Sequence, residues 1–339
     1  MQIQYCFENI SRSCEKNTWG NNIKIPMYIF MVSTIVTTIA GNLAVIISIA
    51  HFRQLHTPTN FLILSMAIVD FLLGCLVMPY SMIRSVENCW HFGELFCKIH
   101  SSTDVMLSTA SIFHLSFISV DRYYAVCDPL KYNIRMNIFI VLLMITISWI
   151  VPAIYAFGMI FLELNIRGAE TYYYHNVSCV GGCFLFFTEM SGGISTVVSF
   201  FIPAFVMICV YGKIYIIARR QARSIKDATN QLQFHMTLDG RKHFSRSRER
   251  KAAKTLGIIM GVFLICWTPF FFCIAVNPFQ NYVIPSITVD AFMWIGYMNS
   301  IFNPMIYAFF YTWFRRALKL ILLGKIFSLD SSRTILYSE

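Results

Sequence analysis

Apolar runs long enough to cross a bilayer recur along the chain, separated by short polar stretches. A spanning helix needs about 20 mainly apolar residues. Seven stretches meet that need, near 26–50, 60–82, 97–124, 137–160, 190–217, 251–276 and 286–309. Pro79, Pro152, Pro203, Pro269 and Pro304 fall inside them. Membrane helices tolerate proline because neighbouring helices, side chains and water satisfy the freed carbonyls. The pattern predicts an all-α membrane protein, a seven-transmembrane helix bundle. It divides the chain into an N-terminal segment 1–25, a membrane domain 26–310 with a polar third inner loop at 213–250, and a tail 311–339. Trp313, Phe314, Leu318 and Leu320 among Arg315, Arg316 and Lys319 predict a short amphipathic helix on the inner leaflet at the start of the tail. The first run is too long for a signal-peptide core, lacks a small-residue cleavage site, and serves as the first span.

Composition agrees. Of the 339 residues, 57% are hydrophobic and 13% charged, against about 25% charged in a soluble domain. The formal net charge of +10 would suit nucleic acid, but here it follows topology. Of the 27 Lys and Arg, 21 fall on the side of the C-terminus, twelve of them between Lys213 and Lys254. That side is therefore cytoplasmic. Two further signals concur. Asn9 and Asn176 begin glycosylation acceptor patterns and fall outside. Cys6, Cys14, Cys89, Cys97, Cys179 and Cys183 also fall outside, an even number in an oxidising compartment. The expected location is the plasma membrane, N-terminus outside.

Charges at membrane depth are costly and usually functional. Apart from Asp121 and Arg122 at a helix end, Asp70 and Asp104 are read as the two conspicuous ones. Asp104 lies seven residues after Cys97, which puts it two turns, roughly 10 Å, below the outer end of its helix. Ser108 is one turn deeper on the same face, and Ser111 deeper again. A buried carboxylate needs a cationic partner. No Lys or Arg in the outer half of another span is read as supplying it, so a ligand ammonium is expected. The bland alternative is a structural aspartate satisfied by its neighbours.

Phe263, Trp267, Phe270, Phe271 and Ile274 form one face of the sixth span, and Trp294 and Tyr297 add to it from the seventh. Such stripes are more often plain core, yet aromatic faces also attract ammonium groups and arene rings. Ser195, Thr196 and Ser199 in the fifth span offer hydrogen bonds to a ring hydroxyl, or bond their own backbone. His114 finds no partner at ligand spacing and is read as packing.

Several motifs recur in a known order. They are Gly41-Asn42, Leu64-Ser65-Met66-Ala67 through Asp70, Trp90 with Cys97, Asp121-Arg122-Tyr123, and Trp149. Pro203 with Tyr211, Cys266-Trp267-Thr268-Pro269, and Asn303-Pro304-Met305-Ile306-Tyr307 follow. Over about residues 25–325 the chain resembles rhodopsin-like (class A) G-protein-coupled receptors. Asp104 sits where the aminergic members keep their amine-binding acid. Asn299 through Tyr307, continuing to Tyr311 and Trp313-Phe314, is similar to the signature of trace amine-associated receptors. The stretches Phe157 to Glu170 and Gly324 to Arg333 look most like the type 1 branch, although Thr312 stands where proline is expected.

The resemblance implies that Asp104 pairs the ligand ammonium with support from Tyr297, and that Ser108, Phe270, Phe271 and Trp294 line the pocket. Trp267 and Phe263 would relay ligand contact. Arg122 would pair with Asp121, and with Glu249, until a G protein of the stimulatory class docks beside Tyr123, Leu130, Tyr211 and Tyr307. Asp70, Ser111, Asn299 and Asn303 would hold a sodium ion; no other cofactor is expected. Some family members read diamines through a second acid in the fifth span, where this chain has Ser195 and Thr196, so a monoamine is favoured. Cys97 would bridge Cys183; Cys6–Cys179 and Cys14–Cys89 are expected for the rest. Further expected partners are membrane lipids, arrestin and receptor kinases, with Ser328, Ser331, Ser332 and Thr334 as candidate phosphorylation sites, and no nucleic acid.

Rival classes fare worse. A retinal-binding light sensor needs a lysine in the seventh span, and none lies between residues 255 and 318. A transporter or channel should show repeats or polar residues along a pore, and an enzyme a nucleophile–base or metal constellation. None stands out in the sequence.

Overall fold

The structure is a computed structural model that describes residues 4–231, 240–328 and 331–336; the side chains of 133, 218 and 221–256 lie outside the description. The described residues form seven long helices: α1 Asn21–His51, α2 Pro58–Glu87, α3 Glu94–Cys127, α4 Ile138–Phe161, α5 Glu189–Gln231, α6 Gly240–Val276 and α7 Ser286–Phe310. A shorter α8, Thr312–Leu322, follows. Starts are set locally. Thr57, ahead of Pro58, accepts a hydrogen bond from the Asn60 amide to open α2, and Asn137 does the same for α4 from Ile140. Pro152, Pro269 and Pro304 sit inside helices. Wide π turns interrupt α2 at Leu73–Val77 and α5 at Val197–Phe201. Both lie beside the polar interior, where such turns re-aim side chains.

Among the described residues, six helices are apolar enough over 18 residues to cross a membrane. The seventh dilutes its run with Asp290, Asn299, Ser300 and Asn303; the last three are buried against other helices. α3 is the axis, with 67% of its most apolar window buried, against 17% for α4 at the rim. Lipid tails are as apolar as leucine, so packing and interhelical hydrogen bonds, rather than the hydrophobic effect, hold such helices together. Asn42 spans α1 to the Ser300 carbonyl at 3.0 Å, and Trp149 on α4 donates to Ser65 on α2 at 2.9 Å. His114 completes that corner, bonding Ser65 and the Ala110 carbonyl, so it is a satisfied interior side chain. Ile154, Phe205, Ile265 and Phe309 face outward, as lipid contact requires. α8 buries Trp313, Phe314 and Ala317 and exposes Arg315 and Arg316.

The segment between the fifth and sixth spans carries helical extensions, α5 continuing to Gln231 and α6 beginning at Gly240. One expectation needs correction, that of the disulfides. Cys97–Cys183 forms as expected, but Cys6 pairs with Cys89 and Cys14 with Cys179, instead of Cys6–Cys179 and Cys14–Cys89. The reason is backbone pairing. The N-terminal segment folds on itself, Cys6 N–H bonding the Cys14 carbonyl. Cys14 N–H then bonds the Val180 carbonyl, while Val180 N–H bonds Arg12, which sets Cys14 against Cys179. Asn88 donates to the Glu15 carbonyl and leaves Cys89 beside Cys6. Asn9 and Asn176 are both exposed.

Candidate functional site

The Cys97–Cys183 bond draws the outer loop onto the mouth of the bundle. Residues Phe184 to Phe187 thereby roof a cavity of about 280 Å³ that reaches Asp104, Phe270 and Ile274. A smaller chamber of about 50 Å³ continues inward, lined by Asp104, Ser108, Ser195, Ser199, Trp267, Phe270 and Phe271. This is the aromatic wall the sixth-span stripe predicts. Leu185, Phe187, Val105, Thr109 and Met293 also line it and were not anticipated. The loop residues follow directly on Cys183, so the bridge itself was the signal that could have found them.

Asp104 is 6% exposed. The Tyr297 hydroxyl donates to its Oδ2 at 2.7 Å, and Ser108 to its Oδ1 at 3.3 Å. Both donors are neutral. Behind Tyr297, Ser81 bridges to His100. On the α5 side Thr109 donates to Ser199 at 3.0 Å, and the Tyr155 hydroxyl bonds Ser195.

Several anticipated residues lie elsewhere. Thr196 bonds back to the Gly192 carbonyl at 2.8 Å and is off the wall. Trp294 turns away from the cavity and donates to Ser85 at 3.2 Å, packed among α2 residues. The reading that the outer half of no other span holds a Lys or Arg is corrected, although the cation found there pairs with a different acid from Asp104. Arg84, just past the expected end of the second span, is 7% exposed and lines the cavity. It faces Asp290 of α7 at 3.8 Å. Asp290 was passed over because it falls in the first turns of an otherwise apolar run.

Asp70 is fully buried beneath this site. It accepts from Ser111 and Ser300 at 2.8 Å each and from Asn303 at 2.8 Å. Ser300 stands where Asn299 was expected, and the Asn299 amide nitrogen has no partner. Two hydroxyls and one amide N–H thus point at the carboxylate, and all three donate to it. One turn outward Trp267 lies against α7, where Gly296 makes room; a Cβ there would meet its ring at 2.8 Å.

An aromatic chain runs from Trp267 one turn outward to Phe271, across to Phe200 on α5 and back inward to Phe263, with ring centroids 5.1–5.7 Å apart. At the inner end Asp121 pairs with Arg122 at 2.7 Å, as expected. Thr59 and Tyr132 also donate to Asp121, a clamp the sequence left unseen. Glu249 lies outside the described side chains. Tyr211 approaches α6 at Gly257, where a Cβ would meet its hydroxyl at 2.7 Å. Tyr307 is buried beside Tyr311 and Phe314; Tyr123 is half-buried, and Leu130 is 94% exposed on the inner surface.

A seven-helix bundle with a roofed outer cavity, a buried aspartate beneath it and an Asp-Arg pair at its inner end defines a receptor of the rhodopsin class. The model of the 7 transmembrane receptor (rhodopsin family) matches residues 41–307. Trace amine-associated receptor 1 of Homo sapiens is 61% identical over 337 residues, covering 99% of this chain and 99% of that one. The receptor of the same name from Mus musculus is 56% identical over 99% of this chain and 100% of its own. Trace amine-associated receptor 4 of Mus musculus is 48% identical over 99% of this chain. Within the rhodopsin class, the chain belongs to the trace amine-associated receptors. It is a multi-pass membrane receptor and not an enzyme.

Proposed function

We propose that this chain is a plasma-membrane receptor for small arylalkyl monoamines such as phenethylamine and tyramine, with the ligand ammonium on Asp104. The observation that carries the reading is the state of Asp104: buried, open to a cavity, and touched by two neutral hydroxyls. A carboxylate so placed gains most from a cation. The ligand ring lies among Phe270, Phe271, Trp267 and Ile274 under Phe187, and Ser195 and Ser199 bond a ring hydroxyl.

A ligand shifts a two-state equilibrium only by its differential affinity. An ammonium on Asp104 draws α3 and α7 together through Tyr297, and the ring bears on Trp267 and the aromatic chain beside it. The inner half of α6 then swings out about Pro269. This frees Arg122 and opens a groove beside Tyr123, Tyr211 and Leu130 for the terminal helix of a stimulatory G protein. Asp70, Ser111, Ser300 and Asn303 would hold a sodium ion, whose charge balances the buried carboxylate and favours the closed state. Arrestin and receptor kinases would act on the same inner face. The N-terminus lies outside the cell.

The test is a cyclic-AMP assay in cells expressing wild type or Asp104→Ala at matched surface levels. Phenethylamine, tyramine, tryptamine and diamines serve as ligands. Monoamines should raise cyclic AMP in wild type alone; full potency in Asp104→Ala would overturn the proposal.

A further inference from the structure

Three charged side chains line the outer cavity among the described residues: Asp104, Asp290 and Arg84. Arg84 reaches Asp290 through one nitrogen at 3.8 Å, while the same nitrogen lies 3.9 Å from the Met293 sulfur. This is a single loose contact. A two-pronged guanidinium–carboxylate pair would saturate the acid. The Asp290 side chain stays 29% exposed, against 8% for Arg84. Arg84 and Asp104 line the same cavity. Two carboxylates and one guanidinium leave the cavity one negative charge, which a single ammonium balances. A second ammonium entering this cavity would find its acid already faced by a cation and would be repelled by it.

We propose that Arg84 makes this receptor selective for singly charged amines by occupying Asp290, which is a latent second ammonium site. The inference rests on the amine reading of Asp104 and extends it. Selectivity against diamines then does not come from a missing acid. The second acid is present on α7, in the same cavity as the first, and one arginine on α2 holds it. A substitution that removes the guanidinium charge converts the cavity into a two-carboxylate site, matched to an α,ω-diamine whose length spans the two acids.

The experiment is a thermal-shift titration of the purified full chain with phenethylamine and with α,ω-diaminoalkanes of increasing length. Wild type, Arg84→Gln, Asp290→Asn, Asp290→Glu and Arg84→Gln/Asp290→Asn are compared. Arg84→Gln should gain at least about 10-fold in affinity for the best-fitting diamine and keep phenethylamine within about 3-fold. The double variant should lose that gain. Asp290→Asn leaves the guanidinium unpaired near Asp104 and should weaken phenethylamine by about 10-fold, with Asp290→Glu restoring it. If wild type fails to bind phenethylamine, the amine reading itself fails. Should wild type bind it while Arg84→Gln gains no diamine at any length, the present inference alone is overturned. If Arg84→Gln does not fold, Asp290→Asn decides, and unchanged phenethylamine affinity overturns the inference.

Discussion

Asp70 and Asp104 are both buried aspartates in the polar interior of the bundle, yet they are held differently. Asp70 is saturated by Ser111, Ser300 and Asn303 from α3 and α7. It is walled off from the outer chamber by the layer that holds Trp267 and Gly296. Asp104 has two hydroxyl donors and an open chamber beside it. An acid closed in by its own protein can exchange only with something as small as an ion. An acid that shares a cavity with aromatic rings can take a charged organic group. The depth in the membrane is not the deciding variable; the neighbours are.

The comparison is most exposed to Asp104→Asn, which keeps shape and removes charge. We expect amine affinity to fall by about 100-fold, near 2.7 kcal/mol, in competition binding on membranes. Asp70→Asn should leave amine affinity within about 3-fold when sodium is absent, abolish the effect of added sodium, and raise the melting temperature, since an uncompensated buried charge is removed. Equal losses of affinity in the two variants would break the contrast. Tyr297→Phe deletes one neutral donor from Asp104 and should weaken amines by about 5-fold, near 1 kcal/mol. Ser300→Ala should blunt the sodium response by a few-fold, and Asn299→Ala should do so less; the reverse order would return Asn299 to the site. The smallest effect is expected of Ser199→Ala, a loss of about 3-fold for tyramine and none for phenethylamine.

Much of this was legible in the chain. Seven apolar runs predict the seven helices, within about five residues except where α5 and α6 extend beyond their apolar runs to Gln231 and Gly240, and basic residues sort the loops. Asp104, the α6 aromatic face, the Asp121–Arg122 pair and the Cys97–Cys183 bridge follow from position and motif. The misses share a cause. Arg84 lies just outside the second apolar run and Asp290 inside the seventh, so a search of spans for lone charges separates two residues that the folded chain joins at 3.8 Å. Asn299 and Ser300 are adjacent, and one step along a helix turns the side chain by about 100°. Which of the two meets Asp70 is therefore a matter of helix rotation. Thr196 shows the limit for a short hydroxyl, whose own helix carbonyl competes with any ligand.

By itself the sequence determined the solvent of each segment, the number of spans and the depth of Asp70 and Asp104. Those are one-dimensional properties, set by transfer of side chains and peptide groups between water and lipid. The tertiary structure alone decided which groups meet: Cys6 with Cys89, Cys14 with Cys179, Arg84 with Asp290, Ser300 with Asp70, and Trp294 with Ser85 instead of the cavity. These pairings depend on helix rotation and on where the loops close, and a change of one residue in register alters them without altering the hydropathy of any span.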